Sequence, residues 1–145
     1  MPHMRTDALS SGGPPPEKMS RQIRLTAEPQ APSRARTYAR RVLTEVAPPL
    51  GAEQVDDVCL IVSELVTNAY RYGSEPGDLV LVAVEAGPNQ VRVEVHDPRR
   101  RPPQVRTESD ERARGRGLHI VEALSLRWGV DSRPFGKIVW VEVAR

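Results

Sequence analysis

Two polar side chains within an apolar segment are the first candidates for chemistry. Residues 63–73 read SELVTNAYRYG, and Glu64 and Asn68 stand four positions apart within it. On a helix, this spacing places the two side chains next to each other on one face. A carboxylate at a pocket wall can act as a general base, and an amide oxygen is a suitable ligand for Mg²⁺. Two solvated positions on a helix surface would show the same spacing, so the pair alone does not define a site.

A second candidate is Asp97, which follows an alternating strand pattern and precedes Pro98. A carboxylate at the end of a strand can accept a hydrogen bond from the exocyclic amine of a bound base. Asp-Pro is also a common way to open a turn. Both interpretations of Asp97 stay open on this motif alone.

The third candidate is the segment ARGRGLHIV at 113–121, in which Gly115 and Gly117 immediately precede a helical pattern. Free backbone N–H groups at a helix start, together with the helix dipole, favour a phosphate. Glycine also permits close approach of the main chain to a ligand. The segment is neither a Rossmann fingerprint, since the third glycine is missing, nor a P-loop. A flexible helix start would explain the glycines equally well.

Hydrophobic periodicity predicts the elements that position these residues. Strand patterns cover 21–26, 79–86, 90–96, 127–132 and 137–144, and helix patterns cover 31–46, 53–72 and 117–126. Because the strands cluster in hairpins and the helices must cover one face, we expect an α+β fold. Its architecture would be a two-layer α/β sandwich with a mixed, mostly antiparallel sheet.

The remaining segments and the composition limit the classes of function. Residues 1–20 are rich in Pro, Gly and Ser and are predicted to be a disordered leader before one domain over 21–145. Residues 98–116 form a long polar loop with seven arginines, which is typical of a functional lid or a disordered segment. The formal net charge is only +2, which argues against nucleic acid as the main partner. One cysteine, no signal core and no apolar span favour a cytoplasmic protein.

Four motifs in this order resemble one known superfamily. They are SELVTNAYRYG, VEVHDP at 93–98, GRGLHIVEALSLRWGV at 115–130 and GKIVWVEV at 136–143. Together they resemble the motifs of the Bergerat-fold ATPases, also called GHKL, which include histidine kinases and DNA gyrase. Within that superfamily the sequence is most similar to the small anti-sigma-factor serine/threonine kinases of actinomycetes. The resemblance covers about residues 20–145.

The resemblance implies a role for each matching residue. Glu64 matches the proposed general base, Asn68 matches the asparagine that coordinates Mg²⁺, and Asp97 matches the aspartate that binds the adenine amino group. The phosphate-wrapping turn corresponds to Gly115, Arg116, Gly117 and Leu118. The implied cofactors are ATP and Mg²⁺, and the implied partners are a sigma factor and an anti-anti-sigma protein. A homodimer is also expected.

Three departures from the family pattern keep an alternative open. Pro98 and three arginines follow Asp97 where glycine is frequent, Ile138 replaces a threonine near the base, and Tyr72 stands where histidine is common. The alternative is a module that binds ATP or a partner protein without catalysis. A nucleic-acid-binding protein using the arginine-rich loop is a third possibility, which the nearly balanced charge disfavours.

Overall fold

The structure, a computed structural model, describes residues 21–98 and 119–145. Its elements in chain order are β1 (Arg21–Thr26), α1 (Ala31–Thr44), α2 (Ala52–Tyr72), β2 (Leu79–Ala86), β3 (Gln90–Asp97), β4 (Arg127–Arg133) and β5 (Gly136–Ala144). Residues 119–124 form a further helical segment before β4. Each predicted strand and helix that falls on described residues is confirmed within two or three positions. The predicted leader at 1–20, the lid after Pro98 and the glycine turn at 115–118 lie outside the described residues.

Five described strands form one sheet in the order β1-β2-β3-β5-β4. All four pairings are antiparallel. The expected α+β fold with a mostly antiparallel sheet is therefore confirmed, and no parallel pair occurs between the described strands. Because β5 pairs with β3, the β4–β5 hairpin adds to the sheet through its second strand, and β4 becomes an edge.

The side of the sheet that faces the helices forms the apolar core. Alternate residues of β3, Val91, Val93 and Val95, are at most 1 % exposed and pack in this core with buried residues of α2. Burying one such side chain contributes about 1.5–3 kcal/mol. The alternation continues to Asp97, which therefore points to the same side as the three valines. Side-chain periodicity in β3 thus aims one carboxylate toward the layer of helices.

Two helices in this layer begin at recognisable signals. Proline stands in the first turn of α1, where its missing N–H costs little. At the start of α2, the Gln54 side chain accepts the Gly51 N–H at 3.1 Å. Helix α2 then runs for 21 residues to Tyr72, and the N–H of its C-cap Gly73 donates to the Ala69 carbonyl. No helix among the described residues combines the length and apolarity needed to cross a membrane.

A charged layer lies on the opposite side of the sheet. Arg92 of β3 donates to Glu94 at 2.9 Å and to Glu142 of β5 at 2.6 Å. Arg127 of β4 donates to the other oxygen of Glu142 at 2.5 Å. The Arg92 guanidinium also lies over the Trp140 ring, 4.6 Å from its centroid. These contacts tie β3, β5 and β4 together on the face turned away from Asp97.

Candidate functional site

A cavity of about 150 Å³ opens between the C-terminal half of α2 and the strands β3, β5 and β4. It is lined by Leu65, Asn68, Ala69, Tyr72, Val95, Asp97, Trp128, Val130, Lys137 and Val139. Most of this wall is apolar or aromatic, and a few polar groups converge on it. That composition is typical of a small-molecule site.

Asp97 provides the most buried polar group of the cavity. It is the last residue of β3 and lies directly opposite Lys137 of β5 in the strand register. Lys137 Nζ donates to Asp97 Oδ2 at 2.7 Å, and the Asp97 side chain is only 2 % exposed. Burying a carboxylate is costly unless charge or hydrogen bonds compensate. The Lys137 ammonium offsets part of that cost and fixes the direction of the carboxylate.

Two glycines make room for Asp97. A β-carbon on Gly73 would lie 2.5 Å from the Asp97 carboxylate carbon, and one on Gly136 would lie 2.0 Å from the Asp97 carbonyl oxygen. Gly136 also has a φ of +156°, a region that glycine tolerates best. Gly73 caps the C-terminus of α2. In the structure it also lets the end of α2 approach the end of β3.

The predicted pair on α2 contributes unequally to the cavity. Asn68 is half-buried and lines the cavity wall together with Asp97. Glu64 is also half-buried and lies one turn earlier on α2, outside the set of lining residues. The structure therefore brings Asn68 and Asp97 to one cavity and places Glu64 farther along the same helix. The phosphate-turn candidates Gly115, Arg116, Gly117 and Leu118 fall outside the described residues.

Comparison with known proteins identifies the family. The sequence model of the histidine kinase-like ATPase domain matches residues 25–143. This chain belongs to the histidine kinase-like ATPase family. The resemblance inferred from the four motifs is thereby confirmed at the level of the superfamily. A search of curated proteins finds no match.

As a histidine kinase-like ATPase domain, the chain is expected to bind ATP, typically with Mg²⁺, and the residues present fit that pair of ligands. Within the described ranges, no three histidine, cysteine, aspartate or glutamate side chains are grouped to hold a metal ion by themselves. Asn68 offers one hard oxygen at the cavity wall. Magnesium at nucleotide sites characteristically takes its other ligands from phosphates and water.

Of the ten lining residues of this ATPase domain, only Asn68 and Asp97 were predicted as part of the site, and three of the other eight come from β4 and the start of β5. Trp128 adds an aromatic wall, Val130 adds an apolar one, and Lys137 adds the cation beside Asp97. Lys137 could be found only by knowing that β3 pairs with β5, since the two residues are 40 positions apart. For Trp128, the sequence signal was its place as an aromatic residue within the motif at 115–130.

Two of the departures from the family pattern differ in their position relative to the cavity. Tyr72 lines the cavity, whereas Ile138 is absent from the lining set. Ile138 pairs with His96 in the register and is 4 % exposed. Since its two neighbours Lys137 and Val139 line the cavity, the alternation of β5 turns Ile138 to the charged face. Ile138 therefore lies outside the lining of this cavity, on the face of β5 opposite to Lys137.

Proposed function

We propose that this histidine kinase-like ATPase domain is an anti-sigma-factor serine/threonine kinase. It would bind a sigma factor and phosphorylate a serine or threonine of an anti-anti-sigma partner. The observation that carries the nucleotide site is the presence of Asn68 and Asp97 on the wall of one cavity. The partners follow from the resemblance of the four motifs to the actinomycete kinases.

The proposed orientation places adenine at Asp97 and the phosphates toward Asn68. The buried Asp97 carboxylate accepts a hydrogen bond from the adenine amino group, while Leu65, Trp128 and Val139 supply the apolar and aromatic surroundings. Asn68 directs its amide oxygen to the metal that accompanies the phosphates. By resemblance, the turn of Gly115, Arg116, Gly117 and Leu118 wraps the phosphates with backbone N–H groups.

Phosphoryl transfer requires mainly positioning and neutralisation of charge from the protein. The acceptor hydroxyl oxygen forms a bond to the γ-phosphorus, and the bond from that phosphorus to the β–γ bridging oxygen breaks. ADP leaves with that oxygen. Glu64 orients the hydroxyl and receives its proton.

A second candidate is a module that binds ATP or a partner protein without catalysis. The position of Glu64 outside the lining residues favours this candidate, because a general base must come within hydrogen-bond reach of the acceptor. The kinase and the ATP-binding form of the second candidate share the cavity and differ only in turnover.

The test is phosphorylation of candidate anti-anti-sigma proteins with labelled Mg-ATP, alongside calorimetry of nucleotide binding. If the protein is a kinase, wild type yields a phosphoprotein. Glu64→Gln then abolishes phosphorylation and retains binding of ATP. Glu53→Gln is the matched control, since Glu53 is an exposed carboxylate on the first turn of the same helix. ATP binding without phosphoprotein would favour the non-catalytic module. Absence of ATP binding would refute the kinase and the ATP-binding form of the second candidate, and would leave only a module that binds a partner protein.

A further inference from the structure

Lys137 stands in the cavity as a donor directly beside an acceptor. Its Nζ lies 2.7 Å from Asp97 Oδ2, and both residues belong to the cavity wall. The strand register sets them opposite each other, so the backbone of β3 and β5 fixes their spacing. This pair is not a surface ion pair, because the side chains are 24 % and 2 % exposed.

The two members of the pair differ in freedom to move. Gly73 and Gly136 pack against Asp97 so closely that neither position has room for a β-carbon. Gly73 bounds the carboxylate itself and Gly136 bounds the Asp97 carbonyl group, so this buried acceptor has little freedom to move. Lys137 reaches it on a flexible four-carbon stem and is more exposed. An ammonium has three donors, so Lys137 can keep its bond to Asp97 and make another one.

We propose that Lys137 is a specificity-determining residue that reads the nucleobase together with Asp97. This inference rests on the proposed nucleotide site. The Watson–Crick edge of adenine offers an amino donor at its tip and the N1 acceptor beside it. The amino group meets Asp97, and N1 accepts a hydrogen bond from Lys137. Both hydrogen bonds form without breaking the ion pair.

The relative depth of the two side chains selects adenine over guanine. Asp97 is the less exposed of the two side chains. The group of the base that reaches deepest must therefore be a hydrogen-bond donor. Adenine has an amino group at the 6-position, whereas guanine and hypoxanthine carry an oxygen there. A carbonyl oxygen that faces the Asp97 carboxylate would be repelled. The Lys137 ammonium would not be placed to donate a hydrogen bond to that oxygen.

The test compares nucleotides that differ by one ring atom. Dissociation constants are measured by calorimetry for Mg-ATP, 1-deaza-ATP, 7-deaza-ATP and GTP. With wild type, replacing N1 by C–H is expected to weaken binding about tenfold, as the loss of a hydrogen bond to a charged group does. 7-Deaza-ATP is expected to bind like ATP, because N7 is not read, and GTP is expected to bind more weakly than ATP.

Variants of Lys137 then separate base reading from a merely structural role. In Lys137→Met, ATP and 1-deaza-ATP are expected to bind alike, since the donor to N1 is gone. Lys137→Gln keeps a donor and serves if Lys137→Met does not fold, with partial N1 discrimination expected. The control is Arg133→Met, which removes a cation from the β4 end of the same hairpin, outside the cavity lining, and should leave discrimination unchanged.

The outcomes distinguish this inference from the proposed function. If wild type binds ATP and 1-deaza-ATP equally, Lys137 does not read the base and the inference is wrong. The inference is also wrong if Lys137→Met lowers the affinities for ATP and 1-deaza-ATP by the same factor, so that the discrimination between them persists. Lys137 would then act only through Asp97. If no nucleotide binds wild type, the proposed function itself is refuted, and this inference with it.

Discussion

Gly73 at the end of α2 lies against Asp97 at the end of β3, with room for no side-chain atom between them. A β-carbon built on Gly73 would be 2.5 Å from both Cγ and Oδ2 of Asp97. Through this contact, the end of the helix that carries Asn68 determines where the cavity carboxylate lies. The backbone of one motif therefore positions the functional group of another.

Replacing Gly73 by alanine should disturb both stability and the site. The new methyl group would have to displace a buried carboxylate that is hydrogen-bonded to Lys137, so Gly73→Ala should lower the free energy of unfolding by about 1–3 kcal/mol. It should also weaken binding of ATP, because Asp97 moves. Urea denaturation and calorimetry measure the two effects.

Gly87→Ala is the matched control for this substitution. Its β-carbon would meet nothing nearer than the Gln90 carbonyl oxygen at 3.5 Å, an ordinary contact. Stability and ATP affinity should both stay close to those of wild type. Equal effects from the two alanines would contradict the close packing of Gly73 on Asp97.

The two tryptophans of the chain should report differently on nucleotide. Trp128 lines the cavity, whereas Trp140 is 4 % exposed on the charged side of the sheet, beneath Arg92. Mg-ATP should therefore change the fluorescence of wild type and of Trp140→Phe, and it should not change that of Trp128→Phe. Calorimetry checks that Trp128→Phe still binds, because phenylalanine keeps an aromatic wall. A full emission change in Trp128→Phe would place the nucleotide elsewhere.

Local patterns predicted the elements, and long-range pairing decided the rest of the site. The alternation of β3 suffices to put Asp97 on the side of Val95, and helical spacing suffices to put Asn68 off the apolar stripe of α2. Neither pattern contains the information that β5, rather than β4, pairs with β3. For that reason Lys137 was not predicted beside Asp97.

Cys59 should react slowly with alkylating reagents in the folded protein. Burial raises the pKa of its thiol, the charge of Asp56 acts in the same direction, and Arg40 and Arg36 oppose the shift without cancelling it. Since the thiolate is the reactive form, the rate at pH 8 should be well below that of a small thiol. It should rise only at higher pH. Iodoacetamide labelling followed by mass spectrometry measures this rate.

Denaturant provides the control for Cys59, because unfolding removes the burial. In concentrated urea the rate should return to that of a small thiol at the same pH. Rapid labelling under native conditions would show that the segment around Cys59 on α2 opens readily, contrary to its 2 % exposure.

Because of Glu142 in the charged layer, the free energy of unfolding should depend on pH in the acidic range. Burial opposes ionisation of this carboxyl, but hydrogen bonds and charge from Arg127 and Arg92 outweigh it, so its pKa lies below the ordinary value. Glu94, which Arg92 and His96 also contact, lies along the same network. A depressed pKa in the folded state means that the unfolded chain binds the proton more tightly. The stabilisation is therefore complete above the unfolded pKa near 4.3 and is lost as the pH falls through the folded value.

Glu142→Gln tests this sign directly. At pH 7 the substitution should lower the free energy of unfolding by about 1–3 kcal/mol, because two arginines lose a charged acceptor. The difference between wild type and variant should shrink as the pH falls below about 4, where wild type also carries a neutral group. Urea denaturation across this range measures it, with Glu53→Gln as an exposed carboxylate control that should show little difference at any pH. A difference that stayed constant from pH 7 to 3 would mean that Glu142 stabilises the sheet through packing rather than charge.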